Sequence, residues 1–157
     1  MLERLSRLPP WARAGLALLG AADLYWMLVV RDFHALDARP WYGLADVAEL
    51  FASLGEEGRR AYFFQEAWAD LSWILTYTLL LLNLARAAAL RPLAICLVPA
   101  AFDLLETGGI MWLLSSWPEL PRGLCWVVVL SSPLKWLSVL VVSLLILRRF
   151  ALRGAVA

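Results

Sequence analysis

Six ionisable side chains interrupt stretches of this chain that are otherwise apolar: Asp23, Glu66, Asp70, Asp103, Glu106 and Lys135. A charged side chain at the centre of a bilayer costs at least ~2.5–3.5 kcal/mol, so such residues are rare in membrane helices and mark a polar site. Five of the six are acids. Buried carboxylates can take up a proton, attract a cation or form an ion pair. The six residues therefore predict a proton- or ligand-binding site inside a membrane protein.

The spacing of the acids places them on shared helix faces. Glu66 and Asp70 are four residues apart, and Asp103 and Glu106 are three apart, so each pair projects from one side of its helix. We expect Lys135 to pair with Asp103 or Glu106, because an ion left alone at that depth would be neutralised. For the remaining acids we expect protonation, contact with water or a cationic ligand. A purely structural role in joining helices is the simpler alternative.

Three aromatic residues on the same helices are candidates for lining the site: Trp26, Trp73 and Tyr77. Trp26 follows Asp23 by one turn, and Trp73 and Tyr77 continue the face of Glu66 and Asp70. Aromatic faces attract cations. Anchoring at the membrane interface and helix packing are the alternative roles for the tryptophans.

The remaining composition excludes several other kinds of site. A net charge of +1 provides no basic surface for nucleic acid. The lone histidine, His34, lies in a loop, which argues against a bis-histidine haem and against a tight zinc site. We expect no metal and no cofactor, although a weak carboxylate site for a hard cation stays open. Glycine-rich phosphate loops and hydrolase motifs are absent from the sequence.

The apolar runs predict the helices that must position these side chains. The chain is 62% hydrophobic, against ~45–50% in soluble domains. Four runs are long enough to cross a bilayer, at about residues 11–30, 62–84, 92–114 and 124–147. The seven-residue link 85–91 makes the second and third spans antiparallel neighbours. The sequence therefore predicts an all-α polytopic membrane protein, with residues 1–157 forming one antiparallel bundle of four transmembrane helices.

The connection over residues 31–61 contains a further predicted helix. Apolar residues recur at three- and four-residue spacing from Gly43 to Leu54, with Asp46 and Glu49 on the other side, and Gly55 closes the pattern. We expect this short amphipathic helix to lie on the membrane surface or to cap the bundle.

Arginine placement predicts the orientation. Eight arginines lie on the side of the two termini and of residues 85–91, and five lie on the other side, mostly in one long loop. The excess of basic residues on cytoplasmic segments puts both termini in the cytoplasm and residues 31–61 outside. The predicted location is the inner (plasma) membrane, and the lipid bilayer is the first expected partner.

Two backbone features flank the acidic layer. Gly108 and Gly109 follow Glu106 closely, and Pro133 precedes Lys135. Adjacent glycines permit close helix approach or bending, and proline removes a hydrogen-bond donor from the helix. We expect the glycines to form a packing notch more readily than a hinge.

Two stretches carry a resemblance to known families: Trp41–Tyr62, and Pro99–Thr107 with Ala101-Phe102-Asp103-Leu104-Leu105-Glu106-Thr107. They resemble stretches of uncharacterised bacterial four-helix membrane proteins, a resemblance that implies a fold and no activity. The topology is also similar to that of the sterol-isomerase/sigma-2-receptor (EXPERA-like) superfamily. That similarity implies that acids of the first helices, here Asp23, Glu66 and Asp70, face a pocket for a lipophilic cation. The second span lacks the proline that this superfamily carries after its glutamate.

Three functions are compatible with these observations. The first is a membrane protein whose buried acidic site, open to the outer side, binds or transports a proton or a cationic, lipophilic small molecule. The second is a non-catalytic accessory subunit that assembles with protein partners in a larger membrane complex. The third is an intramembrane lipid isomerase that uses paired carboxylates as acid and base.

Overall fold

The computed structural model describes residues 2, 8–25, 36 and 38–154, and the regular elements of this part of the chain are helices, with no strand among them. We number the helices α1 to α5 in chain order. Their bounds are α1 Pro10–Tyr25, α2 Leu44–Ser53, α3 Gly55–Ala87, α4 Leu93–Ser116 and α5 Arg122–Gly154. The predicted all-helical class is thus confirmed for the described residues.

Three of these helices are long and apolar enough to cross a membrane. They contain 33, 24 and 33 residues for α3, α4 and α5, whereas a span of the hydrocarbon core needs ~20. Large apolar side chains stand exposed on their outer faces, among them Trp68 and Trp112. These features identify a membrane protein.

The predicted spans agree with the helices to different extents. The second span is contained in α3 and the fourth in α5, and the third matches α4 within two residues at each end. The first predicted span, 11–30, coincides with α1 as far as Tyr25, and its remainder lies outside the described residues. The predicted amphipathic helix is α2, which ends before Gly55, where a φ of +64° favours glycine.

Helices α4 and α5 approach each other closely at Gly109. A methyl group added to Gly109 would collide with Cγ2 of Val128, whereas one added to Gly108 would meet nothing within 4 Å. The absence of a side chain at Gly109 therefore lets the two backbones approach, as small residues do in membrane helices. The predicted notch is present at Gly109 alone.

Two apolar clusters occupy opposite ends of the helices. The first contains Tyr62, Ile110 and Val128, together with Val47 and Phe51 of α2. The helix α2 thus packs on this end of α4 and α5.

The second apolar cluster contains Leu82 of α3, Cys96 of α4, and Val142 and Ile146 of α5. Between the two clusters, each of the three long helices carries buried polar or charged residues. The polar site therefore lies in a layer enclosed by apolar packing above and below.

Candidate functional site

The centre of the polar layer is an ion-paired group of three side chains. The Nζ atom of Lys135 lies 3.1 Å from Oδ1 of Asp103 and 2.7 Å from Oε2 of Glu106. We call Asp103, Glu106 and Lys135 the site triad. The two acids project from one face of α4, and the close approach of α5 at Gly109 brings the lysine to them. The predicted ion pair of Lys135 is confirmed, and it involves both acids at once.

The triad is withdrawn from the surface of the protein. The side chains of Lys135 and Asp103 are each 7% exposed and that of Glu106 is fully buried. Charges in such surroundings interact strongly, and they are costly when a partner is missing.

Tyr42, from the connection before α2, also contacts Glu106. Its buried hydroxyl donates a hydrogen bond to Oε1 of Glu106 at 2.7 Å and lies 3.3 Å from the carbonyl oxygen of Val128. Tyr42 is not among the predicted site residues, because a single tyrosine in an aperiodic connection does not indicate which side chain it will contact.

Two further hydrogen bonds hold this connection against the helices. The Ser132 hydroxyl donates to the carbonyl oxygen of Arg39 at 2.6 Å. The backbone amide of Leu36 donates to the Tyr62 hydroxyl oxygen at 2.9 Å. The segment that carries Tyr42 is therefore anchored on both α3 and α5.

A cavity of about 140 Å³ adjoins the triad. Its walls combine two triad members with aromatic and apolar side chains: Trp73, Tyr77, Leu81, Asp103, Lys135, Trp136 and Val139. The ring centroids of Trp73 and Tyr77 are 5.8 Å apart, and Lys135 Nζ lies 5.6 Å from the ring centroid of Trp136.

Two of the three aromatic residues predicted to line the site form part of the cavity wall. Trp73 and Tyr77 line it, whereas Trp26 lies outside the described residues. Trp136 was not predicted, because on sequence alone it is one more tryptophan in an apolar helix. An engineered cavity of ~150 Å³ accepts benzene, so the space beside the triad suits a small group or a few water molecules.

Glu66 and Asp70 are buried in an irregular part of α3. Glu66 is fully buried and Asp70 is 2% exposed. The five residues Glu66–Asp70 form a π-helical turn between two α-helical segments. The sequence predicts a regular α-helix here, and the π-helical turn departs from it. Single π-helical turns are rare and are found frequently at functional sites.

Asp23 lies apart from the triad, at the contact of α1 with α3. It is half-buried, and its Oδ2 accepts a hydrogen bond from the Ser72 hydroxyl at 3.2 Å. It lines a separate groove of about 720 Å³, which shares no lining residue with the triad cavity. Asp23 therefore serves as a helix–helix hydrogen-bond acceptor.

The chemistry of the triad follows from its charges. With both acids ionised, two carboxylates and one ammonium sum to a formal charge of −1, and one added proton makes the group neutral. A small cation in the cavity would meet the Asp103 carboxylate and aromatic faces together. Within the described residues, no three His, Cys, Asp or Glu side chains come together in a way that could hold a metal ion.

Comparison with known proteins gives no family assignment. The chain matches no protein-family model, no curated protein and no solved structure. The resemblances proposed from Trp41–Tyr62 and Pro99–Thr107 therefore stay predictions, and function has to be argued from the site.

Proposed function

We propose that this chain is an antiparallel four-helix protein of the inner membrane, with both termini in the cytoplasm, that binds or transports a proton or a small cationic molecule at the site triad. The packing of α1 against α3 at Gly20 and Ser72 supports the fourth helix. The arginine distribution supports the orientation.

One observation carries the functional proposal: Asp103 and its ion-pair partner Lys135 both line a cavity with aromatic walls. Glu106 pairs with the same lysine, so the group carries one carboxylate more than it has ammonium groups. A proton or a cation that enters this cavity would compensate the net negative charge of the triad. We therefore expect the proton and the cation to compete for the same site.

The size of the cavity favours a small ligand. Sites for drug-sized molecules occupy ~300–1,000 Å³, whereas the triad cavity measures about 140 Å³. It accepts the cationic head of a lipophilic amine more readily than a whole lipid. This supports binding over lipid isomerisation.

Two measurements on the purified protein test the proposal. Proton flux into liposomes that carry the protein is followed with an enclosed pH-sensitive dye, and tetramethylammonium binding is followed by calorimetry. Asp103→Asn and Glu106→Gln should each reduce flux or binding about tenfold or more, because a hydrogen bond to a charged group contributes ~1.5–3 kcal/mol. Glu49→Gln, which changes an exposed acid of α2, is the matched control.

A second variant separates loss of the site from loss of the fold. Trp136→Leu removes one aromatic wall and leaves all three charges, so it should weaken tetramethylammonium binding and leave proton flux in place. The proposal fails if the wild-type protein shows neither flux nor binding, or if both acid variants behave like the wild type.

A further inference from the structure

A second groove, of about 540 Å³, lies between the beginning of α3 and the end of α4, away from the triad. Its lining includes Arg59 and Arg60 from α3, Leu114 from the end of α4, and Trp117, which follows that helix. None of its lining residues belongs to the triad cavity. Its volume lies within the ~300–1,000 Å³ of small-molecule sites.

One of the two arginines is held in a fixed position. Arg59 Nη1 donates a hydrogen bond to the carbonyl oxygen of Phe51 at 2.8 Å, and its Cζ lies 5.2 Å from the ring centroid of Trp117. A guanidinium positioned in advance loses less entropy when it binds an anion. Arg60 is exposed beside it.

The groove changes from charged to apolar along α3. Glu56, Arg59 and Arg60 occupy the first turns of the helix, and Phe63 and Phe64 follow one turn further on. Leu114, from the apolar helix α4, faces the same space. One end of the groove therefore suits a headgroup at the membrane–water interface, and the other end suits hydrocarbon.

We propose that this groove binds one anionic phospholipid of the surrounding bilayer, with its phosphate on Arg59 and Arg60 and an acyl chain along Phe63, Phe64 and Leu114. Two guanidinium groups against the one carboxylate of Glu56 leave a net positive charge, which favours anionic over zwitterionic headgroups. Basic pockets between membrane helices bind anionic headgroups on the cytoplasmic side of other membranes; in the proposed topology this groove faces the lipids of the outer leaflet. The proposal requires membrane embedding and is independent of the function of the triad.

Native mass spectrometry of the full chain, released from bilayers of equal phosphatidylglycerol and phosphatidylcholine, tests this inference. The wild-type protein should retain one phosphatidylglycerol in preference to phosphatidylcholine. Arg60→Gln leaves the Arg59 contacts with Phe51 and Trp117 in place and should reduce that preference at least severalfold. Arg122→Gln removes an exposed arginine at the start of α5, outside the groove, and should leave the preference unchanged.

Three results would overturn the proposal. The first is an equal lipid preference in the wild type and Arg60→Gln. The second is an equal loss in Arg122→Gln, which would indicate attraction by surface charge in general. The third is displacement of phosphatidylglycerol by inorganic phosphate that binds the groove as tightly as the lipid does, at constant ionic strength. That result would indicate an anion site to which the acyl chain contributes nothing.

Discussion

Lys135 is the shared ion-pair partner of both triad acids. Its ammonium lies within 3.1 Å of both triad carboxylates, and removing one partner of a buried ion pair typically costs ~3–5 kcal/mol. We expect Lys135→Met to lower the free energy of unfolding by that order. Thermal or denaturant unfolding in mild detergent provides the measurement.

The matched control for Lys135→Met removes the charges of its partners as well. In Lys135→Met/Asp103→Asn/Glu106→Gln no buried charge of the triad is left uncompensated, so part of the lost stability should return. A triple variant no more stable than Lys135→Met would show that the lysine stabilises the protein by packing and not by charge.

Tyr42 supplies the hydrogen bond from the connection to the triad. Tyr42→Phe removes only the hydroxyl that donates to Glu106 at 2.7 Å. A hydrogen bond to a charged group contributes ~1.5–3 kcal/mol, and we expect a loss of unfolding free energy in that range. Tyr25→Phe, at an exposed tyrosine of α1, is the control and should change little. An equal effect of the two substitutions would contradict the assigned role.

Among the single residues, the sequence predicts those site members whose position follows from their charge and their helical spacing. Acids three residues apart on one apolar helix, and a lone lysine on the next, predict the triad. Tyr42 could not be predicted, because it lies in a connection without a helical pattern. Trp136 could not be predicted, because it is one of many tryptophans in apolar helices. Their roles arise from tertiary packing.

Among the helices, the contact between α4 and α5 determines the geometry of the triad. Gly109→Ala should force the helices apart at Val128 and cost ~1–3 kcal/mol of unfolding free energy, as overpacking typically does. Gly108→Ala meets open space and should change stability by less than ~1 kcal/mol. Unfolding of the two variants in the same detergent gives the comparison.

A compensating change tests the cause of the Gly109 effect. Val128→Ala removes the methyl group that the new side chain would strike, so it should recover part of the loss in Gly109→Ala. Failure to recover any stability would mean that the helix contact at Gly109 is not the source of the destabilisation.

The helix bounds could be predicted to within a few residues at most ends, because apolar length and the turn-forming residues both indicate them. The π-helical turn at Glu66–Asp70 could not. No residue pattern predicts a turn with i→i+5 in place of i→i+4 hydrogen bonds. The helix propensities of these residues are those of an ordinary α-helix.

For the molecule as a whole, the proposed topology predicts which positions are accessible from each side of the membrane. Cysteines introduced at Arg91 and Ala151 should react with a membrane-impermeant thiol reagent from one side of a sealed vesicle, and one at Glu119 from the other side. All three positions are exposed, whereas the native Cys96 and Cys125 are buried. Labelling of all three from one side would contradict the antiparallel arrangement.

The central claim is that the triad carboxylates bind a positively charged ligand, and infrared difference spectroscopy of the reconstituted protein tests it most directly. Lowering the pH should produce the band of a protonated buried carboxyl group, and tetramethylammonium should suppress it. The band should be lost in Asp103→Asn or Glu106→Gln and persist in Glu49→Gln. Carboxyl signals of the wild type that respond to neither pH nor tetramethylammonium, or a band that survives in both triad variants, would contradict the claim.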